Sequence, residues 1–415
     1  MRSIALLTTW KEVCGIAHYS AFLKRALDAH VNITVIPTPR EIIHGAKTKL
    51  EVRAADDLIN DIASQVKSFD VTCIQFEPGL YGRTSAQLIG RVKKIIAASN
   101  DVVMSFHHFP RFNRLSWPEI IRPPRPRSVL RNLVGNALTA RRDALWNGLW
   151  LALNAHAAKG HRVTLIAHTK ADARYLKLNM PRVQVLDNPL CYMDDDFIAS
   201  IAKLAETSSL AKLTPSPKPE TRYIGVFGFF DAYKGFETPI LALRHLPPEY
   251  ELLMFSGVHA STLTPDQRIA PYVRTLLKLV EGRKMMSRVH FIGSVSDDDM
   301  LLGMMMCDAV VIPYINSQHT GSGPASQAIE LSRPTYISRN RQFGELVKYF
   351  PDNFEFFDIG NYLELAQKIL RQQQGRDIVV NGIRIVEYPS KPRPLSISDT
   401  VSNYLSGFGV LRGET

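Results

Sequence analysis

The chain has 415 residues, of which 45% are hydrophobic and 21% charged; this composition predicts an ordinary globular protein of two domains. No run approaches the roughly 18 apolar residues needed to cross a bilayer, which excludes an integral membrane helix. The formal net charge is +11, and it is concentrated: between Pro110 and Gly160 eight Arg and one Lys stand against Glu119 and Asp143, a local net charge of +7. A local field of that sign favours a polyanion, an anionic membrane surface or a phosphorylated substrate.

Taken in chain order, "MRSIALLTTW" is too short for a signal peptide and ends in no small-residue cleavage site, so it is expected to be a first buried strand. "SIALLTT", "ITVIP", "VTCIQF", "VVMSFH", "VTLIAH" and "VQVLD" read as strands. Helical patterns over Ala17–Ala29, Ala55–Lys67, Ala86–Ala98 and Lys170–Lys177 fall between them. Strand followed by helix, repeated, predicts a doubly wound parallel sheet. Residues 207–221 are rich in Ser, Thr, Pro and Lys, the composition of a linker. A second series follows: "YIGVFG", "ELLMFSG", "VHFIG", "AVVIPY", "PTYIS" and "FEFFD". The expected domains are therefore 1–206 and 222–394, with a last helix within 395–415 opened by Ser396 or Ser398. Cys14, Cys73, Cys191 and Cys307 lie far apart without C-x-x-C spacing, and are expected to be reduced thiols in a cytoplasmic protein.

Two stretches have the form of anion sites. In "HTGSGPASQAIELSRP", residues 319–334, Thr320, Gly321, Ser322 and Gly323 precede a short helix. Free N–H groups and the positive dipole end at such a turn attract phosphate. In "YIGVFGFFDAYKGFETPILAL" a strand, a glycine turn bearing Lys234 and a helix succeed one another, and a lysine there suits a phosphoryl oxygen. Each alone is compatible with a plain structural loop; both at carboxyl ends of strands in one sheet point to one site.

"GFFDAYKG", "LLMFSG", "VHFIGSVSDDDM", "CDAVVIPY" and "HTGSGPASQAIELSRP", in that order, resemble the donor domain of retaining glycosyltransferases of the GT-B fold, family four. "CGIAHYSAFLKRAL", "IQFEPGLYG" and "MSFHH" resemble its N-terminal half. The resemblance covers nearly the whole chain outside residues 110–160. It implies two Rossmann-like domains facing across a cleft, with the last helix crossing back to the first domain. It also implies transfer of a sugar from a nucleotide-diphosphate donor with retained anomeric configuration. On the donor side it implies Gly15 with Ile16, Gly228, Lys234, Gly257, Val295, His319, Thr320, Gly321, Ser322, Gly323 and Gln327. It places His107 at the sugar, with His108 as the alternative if the strand register differs by one. On the acceptor side it implies His18, Tyr19, Gln75 and Glu77.

The pattern is broken at three places. His319 and Gln327 stand where the family has two glutamates, and Asp231 stands where it usually has an arginine. Gln327 offers one oxygen and a donor NH₂ in place of two acceptor oxygens. Two functions are therefore carried forward: an active transferase with a divergent donor site, and a transferase-shaped protein that binds without catalysis. Neither a metal nor a cofactor beyond the nucleotide sugar is expected. Arg122, Arg125 and Arg127, with Trp117, Trp146 and Trp150, fall where acceptors bind in the family. "LWNGLWLALNAHAA" reads as an interfacial helix or a core helix. The expected acceptor is anionic or membrane-associated; nucleic acid is the alternative, disfavoured by the lack of a regular array of stacking aromatics.

Overall fold

The computed structural model describes residues 1–12, 14–108, 146–216, 218, 220–258, 270–316 and 321–410. The chain parts into two compact units: residues 1–188 together with those from Val401 onward, and residues 189–400.

The first unit holds a six-stranded sheet in the order β2-β1-β3-β4-β5-β6. The strands are β1 (Ser3–Thr8), β2 (Asn32–Pro37), β3 (Val71–Phe76), β4 (Asp101–Phe106), β5 (Val163–Ala167) and β6 (Gln184–Asp187), and every pairing is parallel. The central strands are buried on both faces, which is why they read as continuous apolar runs. The helices are α1 (Gly15–Leu27), α2 (Lys49–Gln65), α3 (Ser85–Ala98), α4 (146–158) and α5 (Lys170–Asn179). Thr48 and Thr84 close capping boxes at the starts of α2 and α3. Trp146 and Trp150 of α4 are buried, edge-on to Phe76 at 5.7 Å and tilted on Phe106 at 5.8 Å. Of the two readings of this segment, the core helix holds: both indoles help fill the layer over β3 and β4.

The second unit repeats the plan in the order β12-β11-β10-β7-β8-β9, again all parallel. Its strands are β7 (Arg222–Phe227), β8 (Tyr250–Phe255), β9 (Val289–Phe291), β10 (Ala309–Ile312), β11 (Thr335–Ser338) and β12 (Glu355–Phe357). Its helices are α6 (Glu237–Leu243), α7 (Pro271–Gly282), α8 (Asp297–Met306), α9 (Gly323–Glu330) and α10 (Tyr362–Leu370). A feature absent from the sequence reading is an antiparallel hairpin, β13 (Arg376–Val380) and β14 (Ile383–Glu387). Its turn, Asn381-Gly382, has φ of 48° and 77°, the left-handed pair that a two-residue hairpin turn needs. Buried Arg384 of β14 binds Asp377 of β13 within the hairpin and ties the hairpin to the sheet through Asp308, next to β10.

The last helix, α11 (Ile397–Gly407), is opened by Ser396, whose hydroxyl accepts from Ser398 N at 3.2 Å. The two units part within this helix, between Thr400 and Val401. No described helix is long and apolar enough to cross a membrane.

Candidate functional site

In an open parallel sheet, ligands sit beyond the carboxyl ends of the strands where the strand order reverses. In the second unit that point lies between β7 and β10. The loop after β7 carries Lys234 and the segment after β10 carries Tyr314, and the two meet. Lys234 is buried, its Nζ donates to the Tyr314 hydroxyl, and it lies 3.9 Å above that ring and 5.3 Å from the Tyr233 ring. Burial works to lower the Lys234 pKa, but the neighbouring phenols of Tyr314 and Tyr233 outweigh it and hold the value above the usual one. A charged ammonium is thus kept inside the protein. Tyr314 Oη lies 3.1 Å from the hydroxyl of Ser322. Ser322 caps α9, accepting from Ala325 N at 3.4 Å. Lys234, Tyr314 and Ser322 therefore form one line ending at a helix N-terminus.

The glycines around this line are explained by the chain's own packing. Gly235, with φ of 66°, leaves no room for a Cβ, which would lie 2.3 Å from the Pro313 carbonyl oxygen. A Cβ on Gly321 would strike Leu190 at 2.6 Å, and one on Gly323 the Tyr192 hydroxyl at 2.9 Å. Gly257 is closed by Ser294, whose Oγ would lie 1.8 Å away. Gly228, with φ of 115°, is the one beside the charge: a Cβ there would lie 3.3 Å from Lys234 Nζ. Val295 is half-buried just before the Ser296 cap of α8. Asp231, standing in the arginine position, caps its own turn by accepting from Tyr233 N at 3.3 Å. Gln327 is fully buried within α9. His319 and Thr320 lie outside the described residues.

Glu330, at the far end of α9, was not singled out from sequence. Its carboxylate accepts from Tyr192 N at 2.9 Å and Met193 N at 3.2 Å. Burial pushes its pKa up to about 8, against the pull of those two amides.

In the first unit, the carboxyl ends of β3, β4 and β5 gather Gln75, His107 and His168. His107 Nε2 lies 2.7 Å from Gln75 Oε1. Gln75, fully buried, donates through Nε2 to the Tyr404 hydroxyl at 3.3 Å. His168 also escaped the sequence reading. Its Nδ1 lies 2.7 Å from the Asn188 carbonyl oxygen and its Nε2 3.2 Å from Ser105 Oγ. Burial lowers its pKa to about 4, so it is neutral at physiological pH. The two imidazoles are 4.8 Å apart, and Tyr19 meets both edge-on. His18 packs on Phe22 at 4.8 Å. Gly15 opens α1 with nothing within 4 Å of where its Cβ would be, and Ile16 packs on the core.

Glu77 follows β3 and precedes the turn Pro78–Leu80. Burial raises its pKa to about 7, with Arg40 pulling it partly back. His108 is half-buried beside His107. Arg122, Arg125, Arg127 and Trp117 lie outside the described residues. Among the described residues no group of three or more His, Cys, Asp or Glu is placed to hold a metal ion. The acidic runs Asp194–Asp196 and Asp297–Asp299 open helices, where carboxylates favour the dipole.

No family model and no curated protein matches the chain. Solved structures do. The Anabaena protein HepE in complex with UDP and glucose matches at 16% identity over 89% of each chain, TM-score 0.53. A UDP-forming α,α-trehalose-phosphate synthase of Burkholderia vietnamiensis matches at 12% identity over 90% of this chain and 91% of its own, TM-score 0.58. A UDP-GlcNAc 2-epimerase of Methanocaldococcus jannaschii matches at 12% identity over 99% of this chain and 100% of its own, TM-score 0.55. The likeness shows the fold: two parallel six-stranded α/β sheets of the GT-B class.

Proposed function

We propose that this protein is a glycosyltransferase that moves a sugar from a nucleotide-diphosphate donor to an anionic or membrane-associated acceptor, with the anomeric configuration retained. The observation that carries the reading is the buried, charged Lys234, linked through Tyr314 to Ser322 at the start of α9. An ammonium and a helix N-terminus converging on one point suit a diphosphate. In glycosyl transfer negative charge develops on the leaving diphosphate, and fixed positive groups lower the barrier most at that step. Lys234 and the α9 amides would supply that charge without a metal. Gly228 would let the phosphate approach Lys234 closely. Two of the similar structures carry UDP or form it by name, which makes UDP-sugars the first donors to test.

A panel of nucleotide sugars in thermal-shift and UDP-release assays tests the reading. Stabilisation by a UDP-sugar together with its turnover supports it. Binding without hydrolysis or transfer supports the second reading, a non-catalytic binding protein. That reading is favoured by Asp231, whose carboxylate stands where the resemblance expects a second cation. The acceptor follows from the charge of residues 110–160. Exposed charges are screened over roughly 8 Å at physiological salt, so vesicle or acceptor binding should fall steeply with salt while UDP binding changes less. Replacing Arg122, Arg125 and Arg127 by Ser should reproduce the high-salt behaviour. A shift assay with a short duplex DNA, run beside anionic vesicles, separates the nucleic-acid alternative.

A further inference from the structure

We propose that Gln75 is a positioning residue that fixes His107 with its proton on Nε2 and leaves Nδ1 as the basic nitrogen. The effect on turnover rests on the glycosyl-transfer reading; the tautomer does not.

The argument runs through donors and acceptors. The Gln75 NH₂ donates to the Tyr404 hydroxyl at 3.3 Å and approaches Cys73 Sγ at 3.7 Å. With that side of the amide engaged, Oε1 faces His107 and can only accept. His107 Nε2, 2.7 Å away, must therefore carry the hydrogen. In a neutral ring Nδ1 is then the basic nitrogen. His168 is locked the opposite way round. The Asn188 carbonyl can only accept, so Nδ1 donates to it, and Nε2 accepts from Ser105. Asn188 is itself held by Asn403, which donates to its side-chain oxygen at 2.9 Å.

His168, whose pKa burial lowers to about 4, puts no charge beside His107 at physiological pH. Facing His107 are Tyr19 from α1, His168 from the end of β5, and, through Gln75, Tyr404 of α11 and Cys73 of β3. Burial pushes the Cys73 thiol up to about 12 and raises the Tyr404 phenol further. A glutamate at position 75 would accept the same hydrogen bond, but its negative charge would favour the imidazolium. An amide of nearly the same shape positions the ring without that bias.

The test uses the full chain with ¹⁵N-labelled histidine. Long-range ¹H–¹⁵N spectra at pH 7.5 should show His107 neutral and protonated on Nε2, with its signals assigned by His107→Asn. Gln75→Glu should raise the His107 pKa by about 1–3 units. The acid limb of UDP-glucose turnover should move up by the same amount while UDP affinity stays constant. Gln75→Ala should leave a mixture of tautomers, and it serves where Gln75→Glu does not fold. A wild-type His107 protonated on Nδ1, or charged at pH 7.5, overturns the proposal. So does a Gln75→Glu variant whose spectrum and pH profile match the wild type. If wild type turns over no UDP-sugar, the transfer reading fails on its own, and the spectra still decide what Gln75 does.

Discussion

The Tyr314 hydroxyl stands between two partners: Lys234, which donates to it, and Ser322, whose hydroxyl is 3.1 Å away. Eighty residues separate Lys234 from Tyr314, and they meet because β7 and β10 are neighbours in the sheet. The contact joins the cation of one loop to the helix N-terminus of another.

Replacing Lys234 by Met should remove the charge while keeping the buried stem. Hydrogen bonds to charged groups are worth about 1.5–3 kcal/mol, so UDP affinity is expected to fall roughly 10- to 150-fold. Isothermal titration measures it. Unchanged affinity would remove Lys234 from the nucleotide site.

Glu330 should make stability fall as pH rises. In the unfolded chain its pKa is near the ordinary 4.5, and in the folded chain it is about 8. The folded state therefore holds a proton that the unfolded state has lost. That contribution is fully present below about pH 4.5 and disappears as pH climbs through 8. Glu330→Gln keeps an acceptor oxygen for Tyr192 and Met193 and has no proton to lose. Relative to wild type it should gain up to about 4 kcal/mol between pH 5 and 8.5, at about 1.4 kcal/mol per unit over roughly three units. Urea unfolding at the two pH values checks this; a constant offset would contradict it.

Gly15 and Gly235 should behave oppositely. Gly235→Ala forces a side chain onto a left-handed backbone and against the Pro313 carbonyl, and should lower the melting temperature by several degrees, about 1–3 kcal/mol. Gly15→Ala meets nothing within 4 Å and should leave melting unchanged or slightly raised. If Gly15 faces the donor phosphate, the same variant should weaken UDP-sugar binding about tenfold.

Much of this architecture was legible. All twelve strands of the two parallel sheets were visible in the sequence: the central ones as continuous apolar runs, because strands buried on both faces leave that trace, and the partly exposed edge strands β2, β6, β9 and β12 as shorter β-rich runs. The hairpin was not, although "VVNGIRIVE" carries its Asn-Gly turn: β13 is largely exposed and Arg384 interrupts β14. Lys234 and Ser322 stood out as loop chemistry. Tyr314, Glu330 and His168 did not, because their meaning lies in partners far along the chain, 138 residues away for Glu330 and Tyr192. Gly321 and Gly323 suggested room for a ligand, whereas Leu190 and Tyr192 fill that space. Local sequence cannot report which distant side chain lies over a glycine.

Trp150 should matter to folding. It is buried against Phe106 and Trp146, so Trp150→Ala is expected to cost about 3–5 kcal/mol. Binding to anionic vesicles, measured by co-sedimentation of the folded variant, should be unchanged. A selective loss of vesicle binding at unchanged stability would return this helix to the interface.

The bond from Gln75 to Tyr404 spans 329 residues. During synthesis at about 5–20 residues per second, Tyr404 is made on the order of tens of seconds after Gln75. The sheet that carries His107 can assemble well before then, but the amide that orients the imidazole lacks its phenol until α11 leaves the ribosome. A nascent chain stalled before residue 397 would lack the phenol that holds the Gln75 amide, so completion of the imidazole network waits for α11.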